Sequence, residues 1–313
     1  MNLRILVSGA NGFVGNAVCK QAVCNGHAVN GTFRTSSDVP KYIEPFVISD
    51  INGSTEWGVA LREVNAVVHL AARVHFMREI ETDSLAAFRK VNVEGTLNFA
   101  RQAAKFGVRR FVFVSSAKVN GESTLPGRAF TEADIPNPHD AYSQSKYEAE
   151  LGLRQLSIDT GMEVVIIRPP LVYGPSVKAN FAALMRVVQL GWPLPLGAIH
   201  NKRSFVALDN LVDFIVNCIN HPKAANQTFF VSDGQDLSTS DLVRCMARAT
   251  GVTTRLLPVP VWALHAGASL LGKVDEVQRL CSNLQINISK ARSLLSWGPP
   301  ISVDEGIRRS ISL

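Results

Sequence analysis

Tyr142 and Lys146 stand four residues apart in Tyr142-Ser143-Gln144-Ser145-Lys146. On a helix that spacing puts both side chains on one face, one turn apart. Among the four tyrosines of the chain, only Tyr142 has a lysine at i+4. Asp140, two residues earlier, suits the N-cap of such a helix. A free phenol titrates near about 10, too high for a base at neutral pH, and a nearby ammonium favours the phenolate. The pair therefore suits proton transfer to or from an alcohol hydroxyl. A surface Tyr–Lys pair has the same spacing, so the chemistry needs a partner site. Ser115 and Ser116 offer one element of it, since they follow the apolar run 110–114. Ligands of open α/β sheets bind outside the carboxyl ends of the strands, where a hydroxyl can meet a reacting oxygen. The same two serines could instead cap backbone groups of a βα loop.

The larger partner is a cofactor site. Gly9-Ala10-Asn11-Gly12-Phe13-Val14-Gly15 follows the apolar run 3–7 and precedes a helical pattern over 13–25. Strand, glycine-rich turn and helix in that order cradle a dinucleotide pyrophosphate. The glycines permit the tight turn and close approach of backbone to phosphate, and the helix N-terminus offers free N–H groups. Gly9, Asn11, Gly12, Phe13, Val14 and Gly15 are thus cofactor candidates. An ordinary glycine-rich βα turn would read similarly without the strand and helix on its two sides.

These residues need a scaffold. Apolar, β-branched runs recur at 28–33, 46–49, 66–70, 110–114 and 164–167, with helical patterns between most of them, notably 83–106 and 142–159. Strands alternating with helices predict an α/β protein with a Rossmann-type, doubly wound parallel sheet. From about Tyr173 proline and glycine become frequent, as in Gly191-Trp192-Pro193-Leu194-Pro195. Strands are expected at 205–208 and 228–231, with helices over 209–220 and 238–250. Ser238 and Asp241 form a capping pair for the last of these. The division expected is a dinucleotide-binding domain over 1–172 and a smaller mixed α/β substrate domain over 173–313, with the strands near 205–208 and 228–231 returning to the main sheet.

The bulk properties agree with a soluble enzyme. The chain has 313 residues, 46% hydrophobic and 19% charged, with a formal charge of +6. No apolar run reaches membrane-span length. A first strand beginning at Leu3 leaves no room for a signal peptide. Five scattered cysteines without metal-type spacing read as reduced thiols, which points to the cytoplasm and to no metal. The mild positive charge suits solubility and anionic, phosphorylated ligands, and no basic run interleaved with aromatics suggests nucleic acid. Residues 262–271 are apolar enough to lie on a membrane surface, although packing on the small domain is the favoured expectation.

Gly9-x-x-Gly12-x-x-Gly15, Ser115-Ser116-Ala117, Tyr142-x-x-x-Lys146 and Arg168-Pro169-Pro170-Leu171-Val172-Tyr173-Gly174-Pro175 occur in this order. Together they resemble the extended short-chain dehydrogenase/reductases, in particular the nucleotide-sugar epimerases of the UDP-glucose 4-epimerase type, from about Leu3 to the C-terminus. The resemblance implies NAD(H) or NADP(H) as cofactor. It makes Tyr142 the acid/base, Lys146 its electrostatic partner and a ribose ligand, and Ser116 the hydrogen-bond donor to the reacting hydroxyl. It implies that Asp50 and Ile51 contact adenine, that Leu70, Ala71 and Ala72 line the cofactor cleft, and that Pro169 and Val172 sit near the nicotinamide. Asn92 would be largely structural. For the substrate it implies Asn180 and Arg203 at the diphosphate and the segment containing Leu196 on the nucleotide base. A guanidinium at Arg203 suits bidentate phosphate binding. Arg73 and His75 follow the fourth strand and are within reach of the sugar, as is Lys118 beyond Ser116. The family also suggests a homodimer.

The sequence departs from the family in two places. NAD-binding Rossmann units usually end the second strand with an acid that holds the ribose 2′-OH. Here Arg34, Thr35, Ser36 and Ser37 stand there, with no acid before Asp38. Arg34 is placed to meet a 2′-phosphate, which favours NADP(H), or else it stacks on adenine and selects nothing. Asn120, in Val119-Asn120-Gly121, replaces a tyrosine common in sugar epimerases. The expected activity is a 4-epimerase of a UDP-hexose or UDP-N-acetylhexosamine, by reversible hydride transfer at C4. The alternatives are a 4-keto reductase of a UDP-4-keto-6-deoxy-N-acetylhexosamine and, more remotely, a non-catalytic dinucleotide sensor. The substrate class places the enzyme in polysaccharide biosynthesis.

Overall fold

A computed structural model describes residues 2–35, 39–74, 84–177 and 179–311. Seven strands form one parallel sheet in the order β3-β2-β1-β4-β5-β6-β9. They are β1 (Arg4–Ser8), β2 (Ala28–Phe33), β3 (Glu44–Val47), β4 (Ala66–His69), β5 (Arg110–Val114), β6 (Glu163–Arg168) and β9 (Thr228–Phe230). The chain order reverses beside β1, between β2 and β4, and such a switch point opens a crevice at the carboxyl ends of the strands.

Alternation along each strand builds a core on each face. Ile5, Val7 and Val112 face α1 (Phe13–Cys24) and α6 (Leu208–Asn220), with Val18, Cys19, Phe214 and Phe229. Leu6, Phe111 and Phe113 face the opposite layer, with Phe99 of α3 (Thr96–Lys105) and Leu153 of α4 (Ala141–Thr160). A third core, around Tyr173, Phe181, Met185, Val243 and Ile307, holds the C-terminal part.

The expected strands fall where strands occur, with one shift. β3 covers Glu44–Val47 rather than 46–49, because an edge strand with a mostly exposed surface lacks an apolar pattern to fix its bounds. The helix expected over 83–106 is three pieces: α2 (Ser84–Arg89), a π-helical turn (Lys90–Gly95) and α3. The strands expected to return to the main sheet part company. β9 pairs with β6, whereas β8 (Phe205–Ala207) pairs in parallel with β7 (Leu171–Tyr173) in a separate two-stranded sheet. The reason lies in β7, an extra strand immediately after β6 that β8 meets before it could reach the main sheet. Ser238 caps α7 (Thr239–Thr250) by accepting from the Asp241 N–H. The remaining helices are α5 (Ala179–Gln189), α8 (Val261–Leu270), α9 (Val274–Cys281), α10 (Ser289–Leu295) and α11 (Val303–Ile311).

Candidate active site

The glycine loop lies between β1 and α1, at the switch point. Gly9 has φ +70°, and a Cβ there would lie 3.2 Å from the Ala71 backbone. A Cβ on Gly15 would collide with the Gly9 carbonyl oxygen. Larger residues at either place would push the turn open. Gly12 is the N-cap of α1, no side chain caps that helix, and its first turn holds no acid. An uncapped, acid-free helix start behind a close-packed glycine turn fits a dinucleotide pyrophosphate. Gly9, Asn11, Gly12, Phe13, Val14 and Gly15 would hold it.

A buried relay ties this loop to the end of β4. The Ser8 hydroxyl oxygen accepts from the N–H groups of Leu70 at 3.1 Å and Ala71 at 3.2 Å. Its own O–H is then left to donate to His69 Nδ1, 2.6 Å away. That assignment makes Nε2 the protonated nitrogen of His69, which donates to Thr96 Oγ1 at 2.9 Å. Burial, with the charge of Lys146 behind it, pushes His69 down to about 3. The ring is neutral at physiological pH, so the relay keeps one pattern. It fixes Leu70 and Ala71, two of the expected cleft-lining residues, against the glycine turn. Sequence reasoning passed over Ser8 and His69. The available signal was a polar residue closing each of two otherwise apolar strands.

Asp140 caps α4, accepting from the Ser143 N–H at 2.6 Å, and its other oxygen meets Lys118 Nζ at 2.7 Å. Burial alone would raise the Asp140 carboxyl, but the hydrogen bonds from Lys118 and Ser143 outweigh it and hold the group below its usual range. The cap starts the helix that carries Tyr142 and Lys146. Lys146 is buried, donates to the Val114 carbonyl at 2.8 Å, and lies 4.4 Å from the centre of the Phe113 ring. Its position over an aromatic face is favourable to the charged form, but burial wins and brings it down to about 7 against an opposing pull from Glu150. Tyr142 sits edge-on to Phe88, with ring centres 6.2 Å apart. Burial, then the charge of Asp140, raises its phenol to about 12. The expected lowering of Tyr142 by Lys146 is therefore not what this geometry gives. Burial and the Asp140 charge both act upward, and the phenol is protonated at neutral pH.

Ser116 opens the short turn Ala117–Val119 after β5, and its hydroxyl accepts from the Lys118 N–H at 3.2 Å. Ala117 N–H binds the Pro169 carbonyl at 2.9 Å, which joins the ends of β5 and β6. Ser115 is buried beside it, and its Oγ has no hydrogen-bond partner among the described residues. Ser116, Pro169, residues 70–72 and the α4 start with Tyr142 thus follow the carboxyl ends of the main-sheet strands, while Lys146 lies one turn further into α4 and Val172 in β7.

Asn92 lies in the π-helical turn. Its side chain accepts from the Arg73 N–H at 2.8 Å and donates to the Arg73 carbonyl at 3.1 Å and to Ser145 Oγ at 2.9 Å. It thereby pins the loop after β4 to the helix of Tyr142, and the wide π turn aims it there. Deeper in, Glu150 and Arg168 form a fully buried ion pair, with Nε to Oε1 at 2.9 Å. Asn120 Oδ1 accepts from Arg168 Nη1 at 2.8 Å. A buried guanidinium needs acceptors for its donors, and Asn120 supplies one. Glu150 was legible as the next i+4 step after Tyr142 and Lys146, but its partner was not.

The remaining candidates are more scattered. Arg34 and Thr35 are exposed just beyond β2, and Asp50 is exposed beside half-buried Ile51. Arg73 lies 5.7 Å from the Phe88 ring centre. Arg203 Nη1 donates to the Arg279 carbonyl at 2.8 Å and to Ser282, tying it to the end of α9. Leu196 is buried in the C-terminal core. Asn180 is in the first turn of α5, and its side chain lies outside the described residues, as do Ser36, Ser37 and His75. No cluster of metal-ligating side chains occurs among the described residues.

Residues 5–231 match the model of the NAD dependent epimerase/dehydratase family. A UDP-glucose 4-epimerase of Vibrio cholerae is 48% identical over 308 residues, covering 98% of this chain and 94% of the relative. Two solved structures share the fold. A UDP-glucose 4-epimerase of Thermotoga maritima, solved with UDP-glucose, has a TM-score of 0.78 at 22% identity and covers 99% of this chain and 98% of its own. A UDP-glucuronic acid 4-epimerase of Bacillus cereus, solved with NAD, has a TM-score of 0.78 at 20% identity, with 98% and 97% covered.

Proposed function

The chain belongs to the NAD dependent epimerase/dehydratase family, and from that premise we propose that it is a UDP-sugar 4-epimerase working at C4 of a hexose or N-acetylhexosamine. The observation that supports this reading is the Lys146 hydrogen bond to the Val114 carbonyl, which brings the helix of Tyr142 to the strand end that leads into Ser116. The Vibrio cholerae relative, at 48% identity, supports the substrate class.

In this mechanism a bound nicotinamide dinucleotide, which Gly9, Gly12 and Gly15 would hold, would supply reversible hydride acceptance and donation at the sugar C4. The chain's own residues handle the proton. Tyr142 takes the proton of the 4-hydroxyl and gives it back, and Ser116 hydrogen-bonds that oxygen and holds it near the phenol. With a phenol pushed up to about 12, Tyr142 is poised as the acid and needs added positive charge to act as base. Lys146, fixed by the Val114 carbonyl, contributes that charge in its protonated form, one helix turn away, and orients the ribose. The Ser8–His69 relay holds the cleft wall, and Arg203 with Asn180 receives the diphosphate. We assign the cofactor role to residues 1–172 and the substrate role to 173–313, in a cytoplasmic homodimer.

One observation favours a second reading. No acid ends β2, and Arg34 stands exposed there, which suits a 2′-phosphate and hence a 4-keto reductase drawing on NADPH. Incubating the protein with UDP-glucose, UDP-N-acetylglucosamine and their C4 epimers separates the two. Interconversion followed by NMR with no net change in reduced cofactor is expected. NADPH consumption that requires a 4-keto sugar, without interconversion, would replace the epimerase by the reductase.

A further inference from the structure

We propose that the α8–α9 hairpin docks this protein on an anionic lipid surface. α8 contains no Asp, Glu, Lys or Arg, and apart from His265 and Ser269, one turn apart on one face, it is apolar, a composition suited to a packed helix or to one lying on a lipid surface. Yet only Ala268 of α8 is buried, and α9 has no buried residue. Val261, Leu264 and Cys281 fasten the base of the hairpin to the C-terminal core. Its apolar residues otherwise face outward: Trp262 is 74% exposed, and Leu270 and Leu271, adjacent at the turn, are 89% and 75% exposed. The packed helix expected from the sequence is thus present only at its base.

Charge and shape choose the occupant. Within the hairpin Lys273 and Arg279 are exposed beside Asp275 and Glu276, and the further exposed cation is Arg255, six residues before α8, on a chain of formal charge +6. Cations beside an apolar insertion are drawn to anionic headgroups. A tryptophan favours the interfacial layer. Two adjacent leucines at a helix turn make a tip that can enter acyl chains, whereas a second protein copy would need a matching apolar surface. α9 also ends on Arg203, through the Arg279 and Ser282 carbonyls. The base of the hairpin, at the far end of α9 from the leucine tip, therefore adjoins the expected diphosphate end of the substrate site.

The test is co-sedimentation of the full chain with phosphatidylglycerol-rich vesicles and with pure phosphatidylcholine vesicles, alongside sedimentation velocity without lipid. Leu270→Asp with Leu271→Asp is the main variant, and Trp262→Ser the second. Binding to the anionic vesicles that drops about tenfold or more in either variant, with turnover in solution retained, is the expected result. No binding to anionic vesicles, equal binding by the variants, or equal binding to both lipids would overturn the proposal. So would a self-association that the variants abolish while vesicles capture nothing, which would give the face to a second copy.

Discussion

The carboxyl edge of the main sheet and the α8–α9 hairpin are built on opposite terms. At the sheet edge several positions are tightly determined: a glycine that admits no Cβ, a serine hydroxyl making three hydrogen bonds, a lysine held by a carbonyl and a ring. In the hairpin large apolar groups meet almost nothing. A reacting centre needs groups fixed to fractions of an ångström, while a docking tip needs only apolar area and charge. Damage at the edge should therefore cost chemistry steeply, and damage at the tip should leave it alone.

Three substitutions would break or sharpen that contrast. The largest effect is expected at Gly15. Gly15→Val puts a branched side chain into the Gly9 carbonyl, and dinucleotide binding measured by calorimetry should vanish. Next comes Tyr142→Phe, which keeps the ring against Phe88 and removes the proton donor. Turnover should fall by about 10³-fold, the usual scale for a general acid–base, with dinucleotide affinity within about twofold. Glu150→Gln leaves the Arg168 guanidinium buried against a neutral partner. Denaturant melts should show about 3–5 kcal/mol lost, and more if Asn120 is changed to leucine as well.

Much of the edge was legible because its signals are local. The glycine loop lies within seven residues, and Tyr142 to Lys146 is one helical turn. The pieces that escaped are paired over long sequence distances. Ser8 finds His69 across two neighbouring strands, Glu150 finds Arg168 from helix to strand, and β8 finds β7 across an intervening helix. The π-helical turn hid inside a continuous helical pattern, since one extra residue in a turn leaves the apolar spacing nearly intact. In the hairpin the sequence showed that residues 262–271 are apolar, and only the fold could show what covers them.

A smaller effect separates burial from charge at Lys146. Its folded value near 7 lies below the ordinary 10.5, so between those values the unfolded chain holds a proton that the folded chain does not. Stability should therefore rise with pH across that window. Lys146→Met should flatten the rise, as read from melting temperatures between pH 7 and 10. The smallest effect belongs to Arg34. If it meets a 2′-phosphate, Arg34→Ala should lower NADP(H) affinity about tenfold and leave NAD(H) unchanged, and an equal change in both would make it an adenine contact.

The central claim is that one hydride leaves C4 of the sugar and returns to it while Tyr142 carries the proton. UDP-glucose deuterated at C4 tests this directly. The account predicts UDP-galactose with deuterium still at C4, and almost no product from Tyr142→Phe in the same time. Deuterium lost to solvent, or undiminished turnover in Tyr142→Phe, would contradict it.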